Sequence, residues 1–309
     1  MTQPYKSHGA GRVVLAHDGG LDTAVAIPWL AETYHAEIIA VSVDLGQKKE
    51  WLEDARDRAL ATGAVRAHVV DVRDEFARDY LVRGLRIGLF QDDPSAMAGT
   101  LARPLIAQTL VSIAGIEQAR AVAHGDGRGG AALANAVRVL DPGLALLAVP
   151  ASMSRDGHDR SAAFKTAGAG PEEAAYVDIA LQRGAPTAVN GVPMPWLDLV
   201  DSLEILTRAH GIGPSPLLVL DVAHRALEAA TMSSDAGRFA AEVAGEYRRM
   251  LGDGSWFSPM RQALDAYVDK IQERVGGVVR LKLFEGDCSV VECHPSTPAP
   301  PAIIPVAKA

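Results

Sequence analysis

Between residues 12 and 150, short apolar runs alternate with longer segments whose apolar positions recur at helical spacing. RVVLA at 12–16, IIAVSV at 38–43, HVVDV at 68–72, AVAH at 121–124 and LALLAV at 144–149 are nearly continuous in apolar and β-branched character. Runs of this kind predict parallel strands covered on both faces. The segments 22–34, 50–62, 74–90, 100–118 and 131–140 read as the helices between them. The alternation predicts an α/β fold, a doubly wound and mainly parallel sheet with helices on both sides. Sheets of that type bind ligands beyond the carboxyl ends of their strands, so the loops there come first.

The pattern changes after residue 150. Residues 151–176 are polar and rich in Gly, Ser and Ala, and read as a linker or mobile loop. A strand at 187–189 leads into a turn at Asn190 and Gly191, and helices fit 196–210, 222–231, 234–252 and 259–275. The last is amphipathic, with Met260, Leu264, Tyr267, Val268, Ile271 and Val275 on one stripe. Val279, Leu281 and Leu283 then alternate with Arg280 and Lys282, and Glu285, Gly286 and Asp287 turn the chain into a second strand at 288–293. That is a hairpin signature. From Pro295 the chain is rich in Pro and Ala and is expected to extend away from the body.

Composition removes several classes of function. The 309 residues are 48% hydrophobic and 22% charged, with a mean hydropathy of +0.08, which excludes a disordered chain. A net charge of −8 and a pI near 5.6 argue against a nucleic-acid partner held by a broad basic face. No continuous apolar run approaches the roughly 20 residues of a membrane span. The polar residues 1–12 are followed by too short an apolar run for a signal peptide. The expectation is a cytoplasmic protein with no membrane partner.

Two loops could carry chemistry. Asp18, Gly19, Gly20, Leu21, Asp22 and Thr23 follow the first strand and open a helix. Paired glycines admit an anion close to the backbone, and a helix N-terminus favours negative charge. Asp22 and Thr23 could place a Mg²⁺ ligand and a hydroxyl beside a phosphate; equally, either could simply cap the helix. In the second loop, Gly125, Gly127 and Gly130 satisfy G-x-G-x-x-G. The acidic residue that a dinucleotide site needs at the end of the next strand is missing, which weighs against a nicotinamide or flavin. Cys288, Cys293 and His294 lack a fourth nearby metal ligand, and the two cysteines read as core residues. Neither H-E-x-x-H nor G-x-S-x-G occurs.

Taken together, RVVLAHDGGLDTAVAIPWL (12–30), VDLGQ (43–47), LARPLIA (101–107), AVAHG (121–125) and WFSPMRQALDAYVDKIQERVGGVVRLKLFEG (256–286) resemble the argininosuccinate synthase family. The resemblance implies a PP-loop (HUP-type) nucleotide domain over 1–150. The 151–176 linker would be followed by a smaller α+β synthetase and multimerisation domain over 177–294, then the tail at 295–309. It implies ATP as substrate. In the family, the ureido oxygen of citrulline attacks the α-phosphate and releases pyrophosphate, and the aspartate amine then displaces AMP. It also implies a homo-oligomer, a dimer or tetramer.

The sequence departs from the family where ligands bind. Asp18 and Ala24 replace the serines of S-G-G-L-D-T-S. The family's A-H-G-x-T-G-K-G-N-D-Q-V-R aligns with 123–135, and its aspartate-binding Thr, Asn and Asp become Gly127, Ala131 and Ala132. Its citrulline-binding Arg becomes Asn135, and its citrulline-contacting Tyr and Ser fall near Ser95 and Thr100. The W-D-L-T-S-R-E, S-M-D-E-N-L-W-G-R-S-I-E and Y-E-T-P-G segments have no counterpart.

The leading reading is therefore a ligase with an altered, unidentified small-molecule substrate. Nucleotide contacts would fall at Ala16, Gly19, Gly20, Leu21, Asp22, Thr23, Ser42, Gln47 and Gly125. Substrate contacts would fall at Thr100, Arg103, Gly127, Arg128 and Asn135, with Arg155, Arg160 or Lys165 as further cations. Catalysis would rest on Asp18, Asp22, His124 and Asp126, with Asp18 as a Mg²⁺ ligand. A second reading is a non-catalytic homologue that binds a ligand or partner. A third is an enzyme without ATP, using Asp18, Asp126 and His124 as acid–base groups.

Overall fold

The computed structural model describes residues 11–125, 129–150, 173–212 and 216–296, apart from the side chains of 21–23. β1 (Arg12–Ala16), α1 (Leu21–Tyr34), β2 (Glu37–Asp44), α2 (Lys49–Ala61) and β3 (Arg66–Asp71) follow in order. Next come α3 (Arg73–Glu75), a π-helical stretch (Phe76–Leu81), α4 (Val82–Ile87) and α5 (Pro94–Ile116). β4 (Ala121–Gly125), α6 (Gly130–Leu140) and β5 (Ala145–Val149) precede β6 (Ala175–Gln182), β7 (Ala185–Val189) and β8 (Val192–Pro193). The chain continues through α7 (Trp196–Ala209), α8 (Pro216–Thr231), α9 (Ser234–Asp253) and α10 (Pro259–Gln272) to β9 (Gly277–Phe284) and β10 (Asp287–Pro295).

The first sheet has the order β3-β2-β1-β4-β5 with every pair parallel. Side chains alternate across a strand, so Val13 and Leu15 pack with Ile27 and Leu30 of α1 on one face. Val14 points the other way and meets Ile39, Val41 and Val122, with Leu110 and Ile113 of α5 and Val137 of α6. Each such buried side chain contributes about 1.5–3 kcal/mol relative to exposure. The doubly wound α/β sheet expected from the pattern is the one observed. α5, at 23 residues and hydropathy 1.2, is long and apolar enough to cross a membrane by length and composition. Arg103 and Gln108 interrupt its apolar run, and its apolar side chains supply this sheet's core.

Two units divide the described residues, and their boundaries do not follow chain order. One takes 11–76, 100–150 and 249–258, and the other takes 77–99, 173–248 and 259–296. The second unit holds an antiparallel sheet of order β10-β9-β6-β7-β8. Val177, Ile179 and Leu181 of β6 and Val279, Leu281 and Leu283 of β9 form its buried face, on which α8 packs. Its hairpins turn through Arg183–Gly184, Asn190–Gly191 and Glu285–Gly286, each pair with positive φ at both residues. That geometry matches the right-handed twist of the flanking strands.

Several expectations are corrected. β6 begins inside the stretch read as a loop, where AYVDIALQ alternates clearly once paired with β9. The 74–90 segment is two short helices joined by the π-helical stretch rather than one helix. α5 starts at Pro94, capped by Asp93, whose Oδ1 accepts the Ala96 N–H at 2.9 Å. α8 starts at Pro216 rather than 222, and α10 stops at Gln272, before Val275. Cys288 and Cys293 are half-buried on the edge strand β10 rather than core residues; burial pushes the Cys288 thiol up to about 11. Residues 151–172 and 297–309 lie outside the described residues.

At the amino edge of the parallel sheet, Glu117 is 2% exposed and gathers partners from two strands. Arg66 Nη1 lies 2.7 Å from Oε2, His68 Nε2 lies 2.8 Å from Oε1, and Arg12 Nη1 donates to its carbonyl at 3.0 Å. Burial pushes the carboxyl up, but the Arg66 and His68 hydrogen bonds more than offset that and hold it below the usual range. A carboxylate with a depressed folded pKa stabilises above its unfolded value of about 4.3, and that stabilisation disappears as pH falls through the folded value. Glu117→Gln should therefore cost about 2 kcal/mol in urea unfolding near pH 7, with the gap to wild type narrowing near pH 3. A pH-independent gap would contradict this assignment.

Candidate active site

β1 and β4 are neighbours, so the loops that leave their carboxyl ends lie side by side where the strand order reverses. His17 follows β1 and is 3% exposed. Its N–H donates to Val41 O at 2.9 Å, its Nε2 donates to Ala55 O at 3.1 Å, and its carbonyl accepts the Ser42 hydroxyl at 3.0 Å. Gly19 has φ +74 and lies against α2, where a Cβ would come 2.7 Å from the Trp51 ring and 2.8 Å from Ala55. The Arg58 guanidinium donates to Gly19 O. Asp18 Oδ1 accepts the Gly20 N–H at 3.0 Å.

Gly20 is the N-cap of α1, with extended backbone at φ −74 and ψ 160. Neither Asp22 nor Thr23 is the cap, because the helix starts at Leu21. The side chains of Leu21, Asp22 and Thr23 lie outside the described residues. His17, Trp51 and Arg58 were missed as loop-shaping residues. Their signal was the spacing of Trp51, Ala55 and Arg58 along one face of α2.

On the second loop, His124 is 6% exposed and its Nδ1 donates to Gly125 O at 2.9 Å. It sits beneath the start of α6, where a Cβ on Gly130 would lie 2.6 Å from Gly125 O and 3.2 Å from His124 Nδ1. Only glycine fits there. The Arg103 guanidinium lies against Gly129, the N-cap of α6, and burial lowers its pKa while leaving it charged. A cation thus stands beside a helix N-terminus, two features that both favour an anion. Asp126, Gly127 and Arg128 lie outside the described residues, as do Arg155, Arg160 and Lys165.

The remaining candidates are held elsewhere. Asn135 donates to Asp253 O at 2.9 Å, and its Oδ1 accepts from Arg138 at 2.8 Å, so it ties α6 to the 249–258 segment. Gln47 donates to Val43 O at 3.2 Å and accepts the Leu45 N–H at 2.6 Å, bracing its own loop. Thr100 is half-buried on α5, one turn before Arg103. Ala16, Gly19, Gly20, His124 and Gly125 are brought together at the switch point. Among the described residues, no group of His, Cys, Asp and Glu has the makings of a metal site.

The family described as "Arginosuccinate synthase N-terminal HUP domain" matches residues 12–164, and "Arginosuccinate synthase C-terminal domain" matches 214–297. The argininosuccinate synthase of Moorella thermoacetica is 33% identical over 349 residues, covering 91% of this chain and 85% of that one. That of Carboxydothermus hydrogenoformans is 34% identical over 347 residues, covering 90% and 86%. This chain belongs to the argininosuccinate synthase family. Both alignments are longer than the 309-residue chain, so the relatives carry stretches with no counterpart here. Asn135 on α6 is engaged by hydrogen bonds within the protein.

The two loops should respond unequally to the same change. Gly19→Ala puts a side chain at positive φ and into Trp51, at a cost of about 2–4 kcal/mol. Gly125→Ala meets nothing within 4 Å and should stay within about 0.5 kcal/mol of wild type. Urea unfolding of the two variants side by side checks this, and equal losses would contradict it.

Proposed function

We propose that this chain is an ATP-dependent ligase, forming a C–N bond with release of AMP and pyrophosphate, whose substrates are not citrulline and aspartate. The observation that carries the reading is the contrast between the loops. The Gly19–Gly20 turn still leads from β1 into the N-terminus of α1, while Asn135 is consumed by Asp253 O and Arg138. A phosphate site is kept beside a rebuilt substrate site.

In the proposed reaction an acceptor oxygen attacks the α-phosphate and pyrophosphate leaves. An amine then attacks the activated carbon, loses a proton, and displaces AMP with the C–O bond's electrons. The protein's share is placement and charge stabilisation. Gly19, Gly20 and the start of α1 would receive phosphate, and Arg103 would stabilise the negative charge of the acceptor side. Asp18 opposes this unless a cation intervenes. Two like charges about 4 Å apart repel by about 1 kcal/mol in water and about 4 at an effective dielectric near 20. Asp18 would therefore hold Mg²⁺, which reverses the sign. We further expect a cytoplasmic homo-oligomer acting on a small molecule.

The Asp18–Gly20 hydrogen bond also favours a second reading. A loop whose own carboxylate already occupies a backbone amide suits a non-catalytic homologue that binds a different ligand or a partner.

Titration calorimetry of ATP, with and without Mg²⁺, on wild type and Asp18→Ser separates the two. The ligase reading expects wild type to bind ATP only with Mg²⁺. It also expects Asp18→Ser to bind at least about fivefold more tightly without the metal, the ratio corresponding to the lower end of that repulsion. Pyrophosphate release should then appear with some acid–amine pair. Absence of ATP binding in both proteins overturns the ligase reading, and turnover of citrulline with aspartate overturns its substrate assignment.

A further inference from the structure

The second unit contains a groove that the nucleotide reading does not use. It is an open cavity of about 440 Å³ bounded by α8, the first half of α9 and the loop after α4. Arg225 and Glu228 of α8 supply its charges, while Ile87, Met232, Gly237 and Ala241 are among its apolar walls. Three fully buried polar side chains, Asp221, His224 and Gln272, stand directly behind the two charged ones.

Each charged group is braced from behind. Arg225 Nε lies 2.8 Å from Asp221 Oδ2, an ion pair that leaves Asp221 Oδ1 without a hydrogen-bond partner. Glu228 Oε1 accepts from Gln272 Nε2 at 2.7 Å. The same amide nitrogen donates to Arg86 O at 2.8 Å, which fixes Gln272 Oε1 as the acceptor for His224 Nε2 at 3.1 Å. His224 Nδ1 is thereby turned toward Glu228 Oε2, at 3.7 Å and without a hydrogen bond. Burying incompletely paired polar groups is costly, and such clusters call for a reason beyond packing. Here the reason is positional, since both braces end on a side chain that faces the cavity.

We propose that this cavity binds an α-amino acid as its zwitterion, with the carboxylate on Arg225 and the ammonium on Glu228. The charged residues are three apart on one helix, about 5–6 Å between Cβ atoms, a spacing that suits the adjacent carboxylate and ammonium of an α-amino acid. Arginine offers a planar fork of donors to a carboxylate, and Glu228 offers an acceptor to an ammonium. Asp221 and Glu228 together outweigh Arg225, so a ligand with a second carboxylate is disfavoured. Small residues along α9 leave room for a neutral aliphatic or thioether side chain against Ile87 and Met232.

The site is independent of ATP, so its test succeeds or fails without reference to the ligase reading. Calorimetry on the full chain, without nucleotide, would compare L-leucine and L-methionine with L-aspartate, isoamylamine and 4-methylpentanoate. Leucine or methionine should bind saturably. The amine, the deaminated acid and aspartate should each bind at least tenfold more weakly. Arg225→Gln and Glu228→Gln should lose at least tenfold. Gly237→Leu fills the groove from a helical position where an added Cβ meets nothing within 4 Å, leaving the buried network intact. It should abolish binding without lowering the thermal midpoint. No binding by either amino acid, equal binding by the amine or acid, or undiminished binding in Gly237→Leu would overturn the proposal.

Discussion

β1 accepts β2 on one side and β4 on the other, and the chain runs outward in both directions from that pair. Parallel pairing forces each connection to cross back over a face of the sheet, so α1 and α6 enter from neighbouring strand ends. The crevice between their N-termini follows from this pairing rather than from any side chain. Side chains then decide what the crevice can hold. Gly19 lets the first loop press onto Trp51, and Gly130 lets α6 settle over His124. A larger residue at Gly19 would push the first loop off the Trp51 and Ala55 side chains, and one at Gly130 would lift the start of α6 off Gly125 O.

Two polar side chains at this crevice, Asp18 and Asn135, are engaged within the protein itself. Asp18 supplies an anion from within the protein, and its first contact is a backbone N–H of the loop itself. Asn135 spends its amide on Asp253 O and its carbonyl on Arg138. Both engagements satisfy polar groups internally. Arg103, by contrast, keeps a charged group against the N-terminus of α6. The crevice therefore has an anion-favouring side at Arg103, while Asn135 is engaged within the protein.

The two buried polar clusters illustrate different uses of charge. Glu117 is surrounded by Arg66, His68 and Arg12 and has its partners, which makes it a structural tie between α5 and the sheet edge. Asp221 and His224 are just as deeply buried, but Asp221 Oδ1 and His224 Nδ1 have no hydrogen-bond partner. Their interactions end on Arg225 and Glu228 beside open space. Satisfied burial serves stability; unsatisfied burial behind a cavity holds charges in position for a ligand.

Nearly continuous apolar runs and helical spacing were enough to read the parallel sheet, because strands buried on both faces leave an unbroken apolar signature. The glycine loop after β1 and the family resemblance were equally legible, since both depend on contiguous residues. β6 was not, as its alternation is mixed with polar positions and gains meaning only beside β9. The start of α5 was hidden because Asp93 and Pro94 look like a turn until the cap bond is seen. Residues by themselves also show that Asp18 and Asn135 depart from the family. Their present engagements, on Gly20 and on Asp253, depend on atoms 2 and 118 positions away. The Arg225–Glu228 groove is legible still less, because α4, α8 and α9 form its walls and α10 supplies Gln272. Local sequence determines elements and loops, since their energetics are set within a few residues. Which polar groups end up satisfied is decided by long-range packing, because their partners lie on elements distant in sequence.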